Sequence, residues 1–94
     1  MDNMVKRDWR GMVQFADDIK QYCDNMKKVC EGLKSDMDSA RPTMRDEISQ
    51  RAFTKIEAFV NNLIESLPVA EDVETRLRKS AGFLKAAEVL KDQM

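Results

Sequence analysis

Apolar side chains recur along the first half of the chain at steps that alternate between three and four residues: Val5, Trp9, Met12, Ala16, Ile19, Cys23, Met26, Cys30, Leu33, Met37, Ala40 and Met44. A helix turns once in about 3.6 residues, so this spacing gathers them on one narrow stripe. Such a stripe is the a/d seam of a helix built to lie against other helices. The pattern predicts a first helix that starts near Asp2 or Asn3, either of which can cap an open amide end, and runs to about Lys34 or Asp36. Gly32 is a candidate C-cap, but Leu33, Met37 and Ala40 keep the seam register, which favours one more helical turn.

The stretch from Ser35 to Thr43 collects capping residues and Pro42, and predicts a turn followed by a helix with Pro42 in its first turn. Asp46 and Glu47 then fall where the positive helix end favours acids. The second helical stripe reads Ile48, Ala52, Ile56, Phe59, Val60, Leu63 and Leu67. Its steps are mostly four, a drift from the strict heptad that suits globular packing better than a long two-stranded coil. Leu67-Pro68 reads as a further break, with Ser66 as a cap and Glu71 and Asp72 after it. A third stripe then carries Val73, Leu77, Ala81, Leu84 and Ala87. The fold class is therefore all-α. Two architectures are open: an antiparallel helical hairpin whose second arm bends at Pro68, or a three-helix up-down-up bundle with breaks near 36–42 and 67–68. Residues 1–94 read as a single helical domain, and oligomerisation is the usual way for a chain of this size to add stability.

Composition narrows the function more than it defines it. Sixteen basic and 17 acidic residues leave a net charge of −1, which gives no general attraction to nucleic acid or acidic membranes. Arg41, Arg45, Arg51 and Lys55 can share a broad face, but Asp46 and Glu47 dilute it, so nucleic-acid binding is an unfavoured alternative. No stretch approaches a membrane span, and the first eight residues have no apolar core of a signal peptide, so residence in the cytoplasm is the default, with signal-peptide-independent export left open.

Cys23 and Cys30 stand seven residues apart, about 10.5 Å of helical rise, too far for a mutual disulfide. With no histidine in the chain, two thiols are too few for a zinc site, and both read as small buried hydrophobes on the seam. The serines lack a nucleophile elbow, no glycine loop cradles phosphate, and adjacent carboxylate pairs such as Asp17-Asp18 diverge by about 100° on a helix. Neither enzyme activity nor a metal, cofactor or small-molecule substrate is expected. Seven methionines in 94 residues is high, and flexible Met side chains adapt to irregular partners. Together with Trp9 as an anchor, they nominate a partner interface at Val5, Trp9, Met12, Ile19, Met26, Leu33 and Met37.

A helical chain of this length with one capping turn near the middle and few glycines resembles, in outline, the small helical-hairpin proteins of type VII secretion, the early-secreted-antigen-like (WXG) proteins and their partner subunits. The family's Trp-x-Gly belongs in the central turn. That turn here reads Ser39-Ala40-Arg41-Pro42-Thr43, and Trp9-Arg10-Gly11 stands at the start of the first helix instead. The family's C-terminal aromatic followed four residues later by an acid is likewise unmatched, because Phe83 is followed at that spacing by Ala87. No functional residue is carried over. The resemblance implies a helical pairing partner of a secretion system. The residues themselves imply a small non-catalytic helical interaction protein that packs with itself or another helical chain. The alternative is a self-contained three-helix adaptor.

Overall fold

The computed structural model describes residues 8–93. They form two helices, α1 (Trp9–Ala40) and α2 (Glu47–Gln93), joined by a single turn. The fold is all-α, and the three-helix arrangement is excluded because α2 runs through Pro68 without a break. The chain divides into two compact units. One comprises residues 22–68, and the other combines residues up to Gln21 with those from Val69 onward.

Asp8 caps α1: its carboxylate Oδ1 accepts the Arg10 amide at 3.0 Å, and its carbonyl accepts the Met12 amide at 3.1 Å. The described helix thus starts at Trp9, whereas the cap expected at Asp2 or Asn3, and the seam residue Val5, lie outside the described residues. At the other end, no left-handed residue closes α1. The Ala40 carbonyl instead accepts the amides of Thr43 and Met44 and the Thr43 hydroxyl, all at 3.0–3.1 Å. Pro42 therefore lies in the turn and not in the first turn of a helix. The start of α2 is set by Asp46, whose carboxylate accepts the Ser49 amide at 3.0 Å and the Ser49 hydroxyl at 2.6 Å. Met44, expected on the seam, is in the turn and exposed.

Within residues 22–68 the turn folds α2 back along α1 as a helical hairpin. Its buried side chains are Cys23, Cys30 and Met37 from α1, and Phe53, Val60 and Leu67 from α2. Each set repeats every seven residues. Met26 and Leu33 on α1, and Ser49, Ile56 and Leu63 on α2, are half-buried three residues after or four before them. This is the a/d seam of an antiparallel two-stranded coil, on both helices. The drift read in the second stripe is corrected: Ile48 and Phe59, counted as core from sequence, are 80% and 58% exposed.

The other unit pairs the start of α1 with the second half of α2. Asp17 bonds Arg78 at 3.0 Å, and Trp9 bonds Glu88 at 2.6 Å, so rising numbers on α1 meet falling numbers on α2 and the segments are antiparallel. Among the described residues its buried apolar side chains are two alanines, Ala16 and Ala81, flanked by half-buried Met12, Ile19, Ala70, Leu77 and Leu84. The heptad continues across Pro68 through Leu67, Ala70, Glu74, Leu77 and Ala81. Pro68 itself is exposed, and the carbonyl four residues back that loses its donor belongs to exposed Ile64, on the same solvent side. Nearby, the Ser66 hydroxyl bonds the Leu63 carbonyl at 2.6 Å. The seam thus holds α2 together where local propensity alone would break it.

Candidate interaction surface

The two edges of the seam differ in chemistry. On one edge the residues four after each buried position meet: Arg41, four after Met37, forms an ion pair with Glu57, four after Phe53. Arg41 also approaches Asp38 at 3.8 Å and lies over the Phe53 ring at 5.3 Å. In the other unit Arg78, four after Glu74, pairs with Asp17 at 3.0 Å and with Glu74 at 2.8 Å. The hydrogen bonds to Glu74 and then Asp17 raise the Arg78 pKa above its ordinary value. This edge carries charge in both units: Arg41 and Glu57 meet at like positions, and Arg78 meets Asp17, one residue after buried Ala16.

The residues one before each buried position lie on the opposite edge of each helix. On α1 these are Phe15, Tyr22 and Val29, all roughly half exposed, and then exposed Asp36, at intervals of seven. On α2 they include Ala52, Phe59 and Val73, and the next position outward carries Ile48, Val69, Phe83 and Leu90. In α2 the two rows together read Ile48, Ala52, Lys55, Phe59, Asn62, Ser66, Val69, Val73, Arg76, Ser80, Phe83, Ala87 and Leu90, so exposed apolar side chains recur along this side with polar ones between them. Phe83 is 67% exposed. Large apolar side chains left in solvent in such number mark a candidate binding surface. At the start of α2 a shallow groove is lined by Ile48, Arg51, Ala52 and Lys55. Apolar floor and basic rim are thus set side by side there.

The residues nominated from sequence lie elsewhere. Met12, Ile19, Met26 and Leu33 are half-buried and Met37 is buried, each on the internal seam of its unit. Trp9 is half-buried as well. Its indole N–H bonds Glu88, the Arg10 guanidinium lies 4.3 Å from its ring centre, and the Lys85 ammonium lies 5.1 Å away. Arg10 also approaches Glu88 at 3.9 Å. Phe15, Tyr22, Ile48 and Phe59 were the residues missed as surface. Their signal was present: Phe15, Tyr22 and Val29 repeat every seven residues, one position ahead of the seam.

Cys23 and Cys30 are buried and not joined in a disulfide, as their spacing requires. Among the described residues no group of histidine, cysteine or acidic side chains is placed to hold a metal ion, and no helix is long and apolar enough to cross a membrane. Of the four basic residues considered for nucleic acid, three have intramolecular partners. Arg41 is paired as above, Arg45 donates to the Pro42 carbonyl at 3.0 Å, and Arg51 pairs with Glu47 at 2.7 Å. Comparison with protein-family models, with curated proteins and with solved structures finds no match for the chain.

Proposed function

We propose that this chain is a non-catalytic helical interaction protein, and that its partner-binding surface is the apolar outer edge of the helix pair. The observation that carries the reading is the set of large apolar side chains left exposed on the outer side of the helices. A helix that needs only to close one seam has no use for Ile48, Phe59, Val69, Phe83 and Leu90 on its solvent side. The natural occupant of such a surface is another helix, which buries apolar residues at matching intervals. The inner seam then serves as the scaffold, and the mixed-sign charge on the opposite edge keeps that side solvated.

The test is positional photo-crosslinking in cells that express the protein. A photoreactive phenylalanine analogue is placed singly at Phe15 and Phe59 on the apolar edge, and at Lys34 and Thr54 away from it. Protein adducts at the first pair and none at the second are expected. Absence of adducts from both apolar-edge positions, or equal yields at all four, would overturn the reading.

A further inference from the structure

We infer that the occupant of this apolar edge is a second copy of the same chain, with the outer stripe of α1 from one copy seated in the basic-rimmed groove at the start of α2 of the other. This rests on the interaction reading above and goes further by naming the partner and the contact.

Charge supplies the first argument. The groove is lined by Ile48 and Ala52 with Lys55 and the Glu47-paired Arg51 beside them, and exposed Phe59 follows one turn after Lys55. A helix that fills it needs aromatic or aliphatic residues at 4–3 spacing with a carboxylate between them. The chain carries that sequence on its own surface: Phe15, Asp18 and Tyr22, with steps of three and four, all exposed. Asp18 occupies the same place among its aromatics that Lys55 occupies between Ala52 and Phe59. Lined up side by side, Phe15 faces Ala52, Asp18 faces Lys55 and Tyr22 faces Phe59.

Area supplies the second. The exposed parts of Phe15, Tyr22, Val29, Ile48 and Phe59 amount to roughly 500 Å² of apolar surface per chain, taking full side-chain areas of about 150–250 Å². A standard interface buries about 800 Å² per partner, somewhat over half of it apolar. One copy therefore exposes about the apolar area that one partner of a stable pair contributes.

The experiment is the solution mass of the purified full chain by light scattering, under reducing conditions and over a tenfold dilution from tens of micromolar, with helicity followed by circular dichroism. The wild type is expected at two chains or more, falling towards one on dilution. Phe59→Asp is expected to give a single-chain mass at unchanged helicity. Lys55→Asp and Asp18→Lys are each expected to weaken association about fivefold or more, since each replaces an attraction with a repulsion. The double variant Asp18→Lys/Lys55→Asp is expected to recover most of the loss. A wild type of single-chain mass throughout overturns the second-copy assignment, and crosslinks at Phe59 to another protein would then leave the interaction reading standing. Association that Phe59→Asp does not weaken, or a double variant no better than the singles, overturns the contact named here.

Discussion

Phe59 and Val60 are neighbours in sequence with opposite roles, one 58% exposed on the outer stripe and the other fully buried on the seam. Val60→Ala removes two methyl groups from a closed site and leaves a void, so it should cost about 2 kcal/mol. A lower urea midpoint at unchanged slope would show it. Phe59→Ser, measured where the chain is a single copy, should change stability by no more than about 0.5 kcal/mol. Asp46 makes a different prediction. The hydroxyl of Ser49 and then its amide hold the Asp46 carboxyl below its usual value of 3.8. A carboxyl lowered on folding stabilises above its unfolded pKa, and that contribution is lost as pH falls through the folded value. Asp46→Asn keeps a capping oxygen but cannot titrate. Its melting temperature should therefore fall less steeply than the wild type's between about pH 5 and pH 2, followed by circular dichroism.

At the scale of the helix, Pro68 and Gly32 are the residues that oppose α2 and α1. Pro68 is exposed and inside a continuous helix, so Pro68→Ala restores an amide donor and removes the ring from the preceding turn. The gain should be about 1–3 kcal/mol, reduced by the greater freedom of the unfolded chain. Gly32 is exposed, and an added Cβ meets no atom within 4 Å. Gly32→Ala should add about 0.5–1 kcal/mol, and a loss in either variant's denaturation midpoint would show that the position has a role the backbone does not reveal.

These same residues explain what could be read from the sequence. The seam of α1 was legible because Ala16, Cys23, Cys30 and Met37 are apolar at each buried heptad position. The seam of α2 was obscured twice. Ser49, Ala70 and Glu74 weaken its pattern from within, and exposed Ile48, Phe59 and Val73 supply a competing apolar stripe beside it. Pro68 reads as a break because propensity is local, whereas the packing of Leu67 and the residues after it is not. With the seam of α2 hidden in this way, the seam of α1 reads from sequence as one without a partner inside the chain.

For the whole molecule, the two units differ in how their parts are connected. Residues 22–68 are continuous, and the turn places their helical arms together at small loop-closure cost. The other unit joins segments separated by that entire stretch, and among the described residues its buried apolar side chains are alanines. Order in the second unit should therefore depend on order in the first, and the reverse dependence should be weak. The near-balanced net charge carries its own expectation: the chain should flow through heparin at 0.1 M salt, and firm retention would revive a nucleic-acid role. The Trp9 cluster makes the connectivity observable. Trp9 is the only tryptophan, and it is held by Glu88, Arg10 and Lys85 at the open end of the discontinuous unit. The chain thus carries its own fluorophore at the point where unzipping should begin. As urea rises, indole emission should shift to the red before ellipticity at 222 nm is lost, and coincidence of the two curves would mean that the molecule melts as one cooperative unit.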